Sequence, residues 1–358
     1  MNPSPKGYRV GLAGASSLLG QEILRVLKER GLPVSRRVAF EAEEEEPDLP
    51  VLDLSDQLDF AESDGESPPG GLDLLFLAAR ARSKEGEATL LGRALAAAGL
   101  TPGQAPSSCL VIDAVDALAD VPGGILSIPG IEKAGHAAPD SSLSGIRISP
   151  HPVTIVLSNL LLDLAMRFPV RSCVAQVFLP ASEMGPRGIE ELQRQTVNLL
   201  SFQKNPQKVF GTQLAFNVLS RLPGKHASEL NALEARVRRQ LRQYLGDRAP
   251  LPAVRFCQAP VFYSLAFSVY VEFGQPIAAN AVAATLNGKN IAVRKHSEAA
   301  PNQVEAAGSG QILVDAITVD PDQPTGCWIW AAVDDVHLAA ENAVEIAAEC
   351  LLRPALKQ

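Results

Sequence analysis

A short apolar run, Tyr8-Arg-Val-Gly-Leu-Ala13, leads directly into Gly14-Ala-Ser-Ser-Leu-Leu-Gly20 and then into Gln21-Glu-Ile-Leu-Arg-Val-Leu-Lys28, with Ile23, Leu24 and Leu27 on one helical face. Strand, glycine-bearing turn and amphipathic helix in immediate succession constrain the fold more than any other stretch, because they open a dinucleotide-binding βαβ unit. A second reading stays open, since glycines in a βα unit also serve close helix–strand packing. If a nucleotide is held here, the groups that hold it are Gly14, Ser16, Ser17, Leu18 and Leu19 at the mouth of the helix.

The alternation continues. Val34–Phe40 reads as a second strand, Leu72–Ala79 as a third, Gly86–Gly99 as an Ala/Leu-rich helix, and Cys109-Leu-Val-Ile-Asp113 as a further strand ending in a carboxylate. The expected result is a parallel, doubly wound sheet with helices on both faces. The acidic run Glu41–Glu46 follows the second strand, where the adenosine ribose of a dinucleotide lies. Its carboxylates repel a 2′-phosphate, whereas Glu41 alone suits a ribose hydroxyl. NADP is therefore disfavoured relative to NAD.

Residues 145–159 form the next junction. The strand-like Ile146-Arg-Ile148 ends in Ser149-Pro150-His151-Pro152, and a long apolar helix begins at Val153 with Val156, Leu157, Leu160, Leu161 and Leu164. The N-terminus of such a helix is where an α/β enzyme places an anion or a nucleophile. Here His151 is the only titratable side chain of the turn, and Pro152 has no N–H to donate.

Beyond residue 170 the pattern changes to long strands, Ser172–Leu179 and Val254–Phe273, and to polar helices over about 185–203 and 227–245. A short helix over 276–286, a pair of strands over 311–334 and a helix over 336–353 complete the chain. The division expected is a Rossmann-like domain over 1–150, completed by 335–358, and an α+β dimerisation domain with a broad mixed sheet over 151–334. Such a sheet needs cover on its second face, which a partner subunit supplies.

Composition narrows the function. A net charge of −8 argues against nucleic acid and anionic membranes as partners. No apolar run reaches the roughly 18 residues of a membrane span, and the N-terminus has no signal-peptide core. Five scattered cysteines form no CxxC and no metal spacing, so no metal site is expected and a reducing, cytoplasmic setting is. His136, His226, His296 and His337 show no ligand spacing either.

The order of these pieces resembles the aspartate-β-semialdehyde dehydrogenase family along almost the full length. The resemblance is carried by Gly14-Ala-Ser16…Gly20-Gln-Glu, Leu32-Pro-Val, Val111-Ile-Asp113, Thr154 with its helix, Gly188-Ile-Glu-Glu-Leu, Ala215-Phe-Asn217, Ser268-Val-Tyr-Val-Glu272, Trp330–Asp334 and Ala339-Ala-Glu-Asn342-Ala. Gln258-Ala-Pro-Val-Phe262 brings it nearest in pattern to the Usg-type paralogues. The resemblance implies homodimers of a Rossmann domain and a dimerisation domain, with NADP as cofactor and aspartyl phosphate and aspartate semialdehyde as substrates.

The departures from the family pattern fall on its chemistry. The nucleophilic cysteine of Asn-Pro-Asn-Cys falls on Pro152, the acid/base histidine on Leu265, and the carboxylate-binding arginine on Gln258. Asp113–Asp120 lacks the asparagine and arginine of the phosphate-binding segment. The Ser-Gly-Ala-Gly loop reads Ser182-Glu-Met-Gly185, and the 2′-phosphate run falls within Glu41–Glu45. Thioester chemistry needs a thiolate, a base, an anion clamp and a hydride carrier. With His151 as the only substitute in the turn, Cys257 expected to face away, and Arg187 read as a helix-start residue, no catalytic residue is assigned. The expectation is a dimeric pseudoenzyme or scaffold that retains at most nucleotide binding, with a further protein partner left open. The alternative is an active NAD(P)-dependent semialdehyde dehydrogenase or related oxidoreductase of aspartate-derived amino-acid biosynthesis.

Overall fold

The structure is a computed structural model that describes residues 7–41, 61–62, 71–79, 84–99, 109–119, 121, 123–133, 145–226, 228–294 and 299–352. Two compact units arise. One comprises residues up to 133, 137–150 and 339 onward, and the other is mainly His151–Leu338.

The first unit is built on a seven-stranded sheet of order β3-β2-β1-β4-β5-β7-β6. The strands are β1 (Tyr8–Ala13), β2 (Val34–Phe40), β3 (Ala61–Glu62), β4 (Leu74–Leu77), β5 (Leu110–Asp113), β6 (Ile125–Leu126) and β7 (Ile146–Ile148). Every pairing is parallel. Helices α1 (Leu18–Glu29), α2 (Lys84–Ala97) and α3 (Pro129–Lys133) lie between strands. β4 is Leu-Leu-Phe-Leu and wholly buried, as a strand covered on both faces requires. Its side chains alternate between two cores. Leu74 and Phe76 join Ile23, Leu24 and Leu27 of α1, and Leu75 and Leu77 join Leu90 and Ala94 of α2. The first core also takes Ala340, Ala343, Val344 and Ala347 from the C-terminal helix, as its alanine-rich face predicts. This is the doubly wound arrangement.

The second unit opens with α4 (Pro152–Arg167), which buries nearly its whole circumference. A six-stranded mixed sheet follows, of order β11-β12-β13-β10-β8-β9. It contains β8 (Val170–Leu179), β9 (Ala253–Gln258), β10 (Leu265–Phe273), β11 (Ile291–Val293), β12 (Ile312–Val319) and β13 (Gly326–Val333). Its helices include α5 (Gly185–Leu200), α6 (Glu229–Leu245), α7 (Ala279–Leu286) and α8 (Gln303–Ala306); α9 (Asp335–Leu352) begins in this unit and ends in the first.

The single strand expected over Val254–Phe273 is two strands, and β8 lies between them, parallel to β9 and antiparallel to β10. Pro260 has no N–H for a ladder, and Ser264 takes a positive φ of 71°, so the chain turns there. One face of the sheet is closed. On the other, Val174, Tyr270 and Trp328 lie side by side across β8, β10 and β13. Tyr270 and Trp328 pack ring against ring at 4.8 Å.

Candidate functional site

In the first unit the β1–α1 turn sits at the carboxyl ends of adjacent strands β1 and β4, where the chain order reverses and open α/β sheets bind ligands. Gly14 has φ +81°, and a Cβ there would lie 2.2 Å from that of Ala79. A Cβ on Gly20 would lie 2.1 Å from the Gly14 carbonyl oxygen. Both glycines are thus required for the close seating of α1.

Ser17 is the N-cap: its hydroxyl accepts from the Gly20 N–H at 2.9 Å, and its one proton lies between the carbonyls of Gly14 at 2.7 Å and Ala78 at 3.1 Å. Ser16 turns outward. Its N–H and its hydroxyl donate to the two carboxylate oxygens of Glu41, at 2.7 and 2.8 Å. Leu18 and Leu19 open the helix. The structure thereby brings Gly14, Ser16, Ser17 and Glu41 to one turn, whereas residues 42–46 of the acidic run lie outside the described residues.

The second unit contains the α4 turn. His151 is the N-cap of α4, and its Nδ1 accepts from the Val153 N–H at 3.2 Å. With Nδ1 accepting, the ring donates from Nε2. Nε2 faces the carboxylate of Glu183 at 3.3 and 3.4 Å. Gln240 of α6 locks the turn from beneath, its Oε1 accepting from the His151 N–H and from the Thr154 hydroxyl, both at 3.0 Å. Pro152 is the first residue of the helix.

Glu183 sits in the short 3-10 turn Ala181–Met184, which pairs with the chain after β9: Ala181 and Ser182 donate to the carbonyls of Val261 and Phe262. Burial opposes charge on Glu183, but the neighbouring His151 ring and Arg236 guanidinium outweigh it and hold the carboxyl below the usual carboxylate range. Asp335 behaves oppositely. Burial, with repulsion from Glu183 and Asp334, pushes it up to about 7, although it accepts from the Ser264 N–H at 3.0 Å. Glu183 beside the imidazole, with a second carboxyl of opposite acidity interacting with it, forms an arrangement able to hold or move a proton.

Leu265, at the expected acid/base position, is fully buried at the start of β10 and carries no such chemistry. Gln258 is fully buried too; its Nε2 donates to the carbonyls of Leu179 and Pro180 at 3.0 and 2.9 Å. Cys257 receives a contact from Gln176, and burial raises its thiol. Cys109 and Cys173 are pushed up to about 12 and Cys327 to about 11 by burial, and burial raises Cys350 as well. Asp113 accepts from the N–H groups of Val115 and Leu118, and Ser149 accepts from Asn342 at 2.8 Å, so both serve the first unit's own loops. Arg187 is exposed in the first turn of α5. His226 pairs with Glu229 at 2.7 Å, and the His337 backbone N–H is held by Asp334. Asp120, His136 and His296 lie outside the described residues. Among the described residues no group of three potential metal ligands forms, and no helix is long and apolar enough to cross a membrane.

Sequence reasoning missed Glu183, Gln240 and Asp335. Glu183 had a visible signal, a carboxylate where the resembling loop has glycine. Asp335 looked like an ordinary helix-start acid, and Gln240 lies on the apolar side of an amphipathic helix, three residues after Val237 and four before Tyr244, a spacing that marks its burial but not its partners.

Residues 163–338 match the family described as semialdehyde dehydrogenase, dimerisation domain. A USG-1 protein homologue of Pseudomonas aeruginosa is 28% identical, over 94% of this chain and 95% of the relative. An aspartate-semialdehyde dehydrogenase of Rickettsia bellii is 24% identical, over 97% of this chain and 98% of the relative. The fold is shared with aspartate semialdehyde dehydrogenase II of Vibrio cholerae, with TM-score 0.79, 23% identity and 98% and 100% of the two chains covered. It is shared also with the Candida albicans enzyme solved with NADP, with TM-score 0.59, 13% identity and 95% and 97% covered. Over nearly its whole length the chain is thus similar to aspartate-semialdehyde dehydrogenases and to a USG-1 homologue, and residues 163–338 carry the semialdehyde dehydrogenase dimerisation domain.

Proposed function

We propose that this chain belongs to the aspartate-semialdehyde dehydrogenase family, has lost that family's dehydrogenase reaction and acts as a dimeric, non-catalytic protein. The state of the thiols carries this reading. A thioester route starts from a thiolate, and all five cysteines of the chain have thiols raised by burial, none of them in the α4 turn, where Pro152 stands. A second reading, an oxidoreductase of altered chemistry, is favoured by one observation, the His151–Glu183 contact, which supplies a proton shuttle but no nucleophile.

The cofactor side is read the same way. Glu41 already accepts both outward donors of Ser16, and its charge stands where a 2′-phosphate would approach. The test combines calorimetry with NAD and NADP and an assay with aspartate semialdehyde and phosphate. No turnover is expected, and NADP is expected to bind weakly or not at all. Turnover would overturn the loss of catalysis; a low-micromolar NADP dissociation constant would overturn the cofactor reading.

The homodimer is proposed through the open face of the second sheet. Val174 and Trp328 remain 51% and 45% exposed on either side of Tyr270, an apolar row that a second copy would cover. Val174→Lys is expected to weaken self-association by roughly tenfold or more, the scale of one truncated or charged interface anchor. Sedimentation equilibrium reads this; an unchanged dimer constant would place the interface elsewhere.

A further inference from the structure

A buried polar atom without a partner forfeits its hydration with nothing in return, so native cores keep few of them. Three occur on one pair of joined segments in the second unit: Gln258 Oε1, Ser182 Oγ and Ser264 Oγ. Their residues are 0%, 7% and 0% exposed. The segments are tied by the Ala259 N–H donating to Leu179, by Ala181 donating to Val261 and by Ser182 donating to Phe262. Ser182 adjoins Glu183, which contacts His151, and the Ser264 N–H is held by Asp335.

The Gln258 amide has its orientation fixed by its surroundings. Nε2 faces two carbonyl oxygens, and flipping the group would set oxygen against oxygen twice. Oε1 is therefore a committed acceptor with nothing to accept from. The hydroxyls of Ser182 and Ser264 can accept as well as donate, so the preference for a donor over an anion rests on Gln258 Oε1 and on the Glu183 charge. Glu183 is held ionised, so the charge nearest to Ser182 along the chain is negative. Ser264 holds a left-handed backbone at φ +71°, a strained conformation retained at the end of the second segment.

We infer that the 179–183 and 258–264 segments form a site for a small molecule presenting N–H donors, a primary amine or a carboxamide, and refuse carboxylates and phosphates. The orphan acceptors supply hydrogen bonds to such a ligand, and the Glu183 carboxylate favours a neutral or cationic one. The inference is independent of turnover, because binding and the dehydrogenase assay read different events.

The test titrates the full chain with propylammonium, propionamide, propionate and inorganic phosphate, followed by amide chemical shifts. At least one of the first two is expected to bind with shifts centred on the two segments, and the two anions are not. Comparing propylammonium with propionamide separates an ammonium ligand from an amide one. Ser264→Ala removes one hydrogen-bond partner and is expected to weaken that binding roughly tenfold, the upper range of one neutral hydrogen bond. The free variant is expected to melt at the same temperature or higher, since its lost hydroxyl had no partner; Ser182→Ala, on ordinary backbone, serves if the strained position fails to fold. Binding of propionate as tight as that of propionamide, binding unaffected by both serine variants, or no binding by either donor, with a buried water only in the site, would each overturn the inference.

Discussion

Asp335→Asn is expected to stabilise the protein at pH 8 and to leave it nearly unchanged at pH 4. Asp335 is buried near the ionised Glu183 and beside Asp334 in sequence, and these surroundings raise it to about 7. A carboxyl raised on folding binds its proton more tightly in the native state than in the unfolded chain. Its favourable contribution is complete below the unfolded value near 4 and is lost as pH rises through the folded value near 7. A rise of about 3 units corresponds to an upper limit of roughly 4 kcal/mol. Asparagine keeps the acceptor for the Ser264 N–H and never ionises. The stability gap between variant and wild type should thus open between pH 4 and 7 and stay level above. Denaturant unfolding at a series of pH values measures it. A gap that is constant with pH, or that closes toward pH 8, would remove Asp335 as an ionising group under strain.

The sequence patterns that led to the fold were those with a local physical cause. Gly14 and Gly20 marked a turn where any side chain would collide, and the structure seats α1 on that turn. Alanines at helical spacing near the C-terminus marked a face that packs closely, and Ala340, Ala343 and Ala347 do so against α1 and the sheet. The break between β9 and β10 was harder to see, because Gln258–Phe262 is mostly apolar and only Pro260 hints at it; the deciding feature is the backbone of Ser264. The site was legible only in part. His151 could be placed at a helix mouth from the prolines around it, but its partner is 32 residues away in Glu183 and its backbone is held by Gln240, 89 residues away. Contacts of that range depend on which strands pair, and local periodicity is silent about them. Asp335 is the clearest case: its charge is legible, whereas its burial beside Ser264 exists only once β10 and α9 are in place.

Pro152→Cys is expected to create the most reactive thiol in the molecule without creating a dehydrogenase. A cysteine at the first residue of α4 has the positive end of a 16-residue helix beside it and His151 next to it. The native cysteines have the opposite environment, with burial raising each of them. Alkylation by iodoacetamide at neutral pH should therefore be faster at residue 152 than at any native thiol, by about an order of magnitude or more, as thiolate fraction scales with pKa. Peptide mapping after a short pulse locates the label. Turnover with aspartate semialdehyde, phosphate and NADP should stay at background. A thiolate is only one of the parts the route needs, and Leu265 offers no proton transfer while the Gln258 amide donors remain bound to Leu179 and Pro180. His151 does not fill the gap as it stands, because Nδ1 is engaged by the Val153 N–H and Nε2 is turned to Glu183. Fast labelling without turnover means that the losses extend beyond the nucleophile. Turnover by the variant would show the reverse, that a single proline separates this chain from catalysis and that the His151–Glu183 pair can serve as its acid and base.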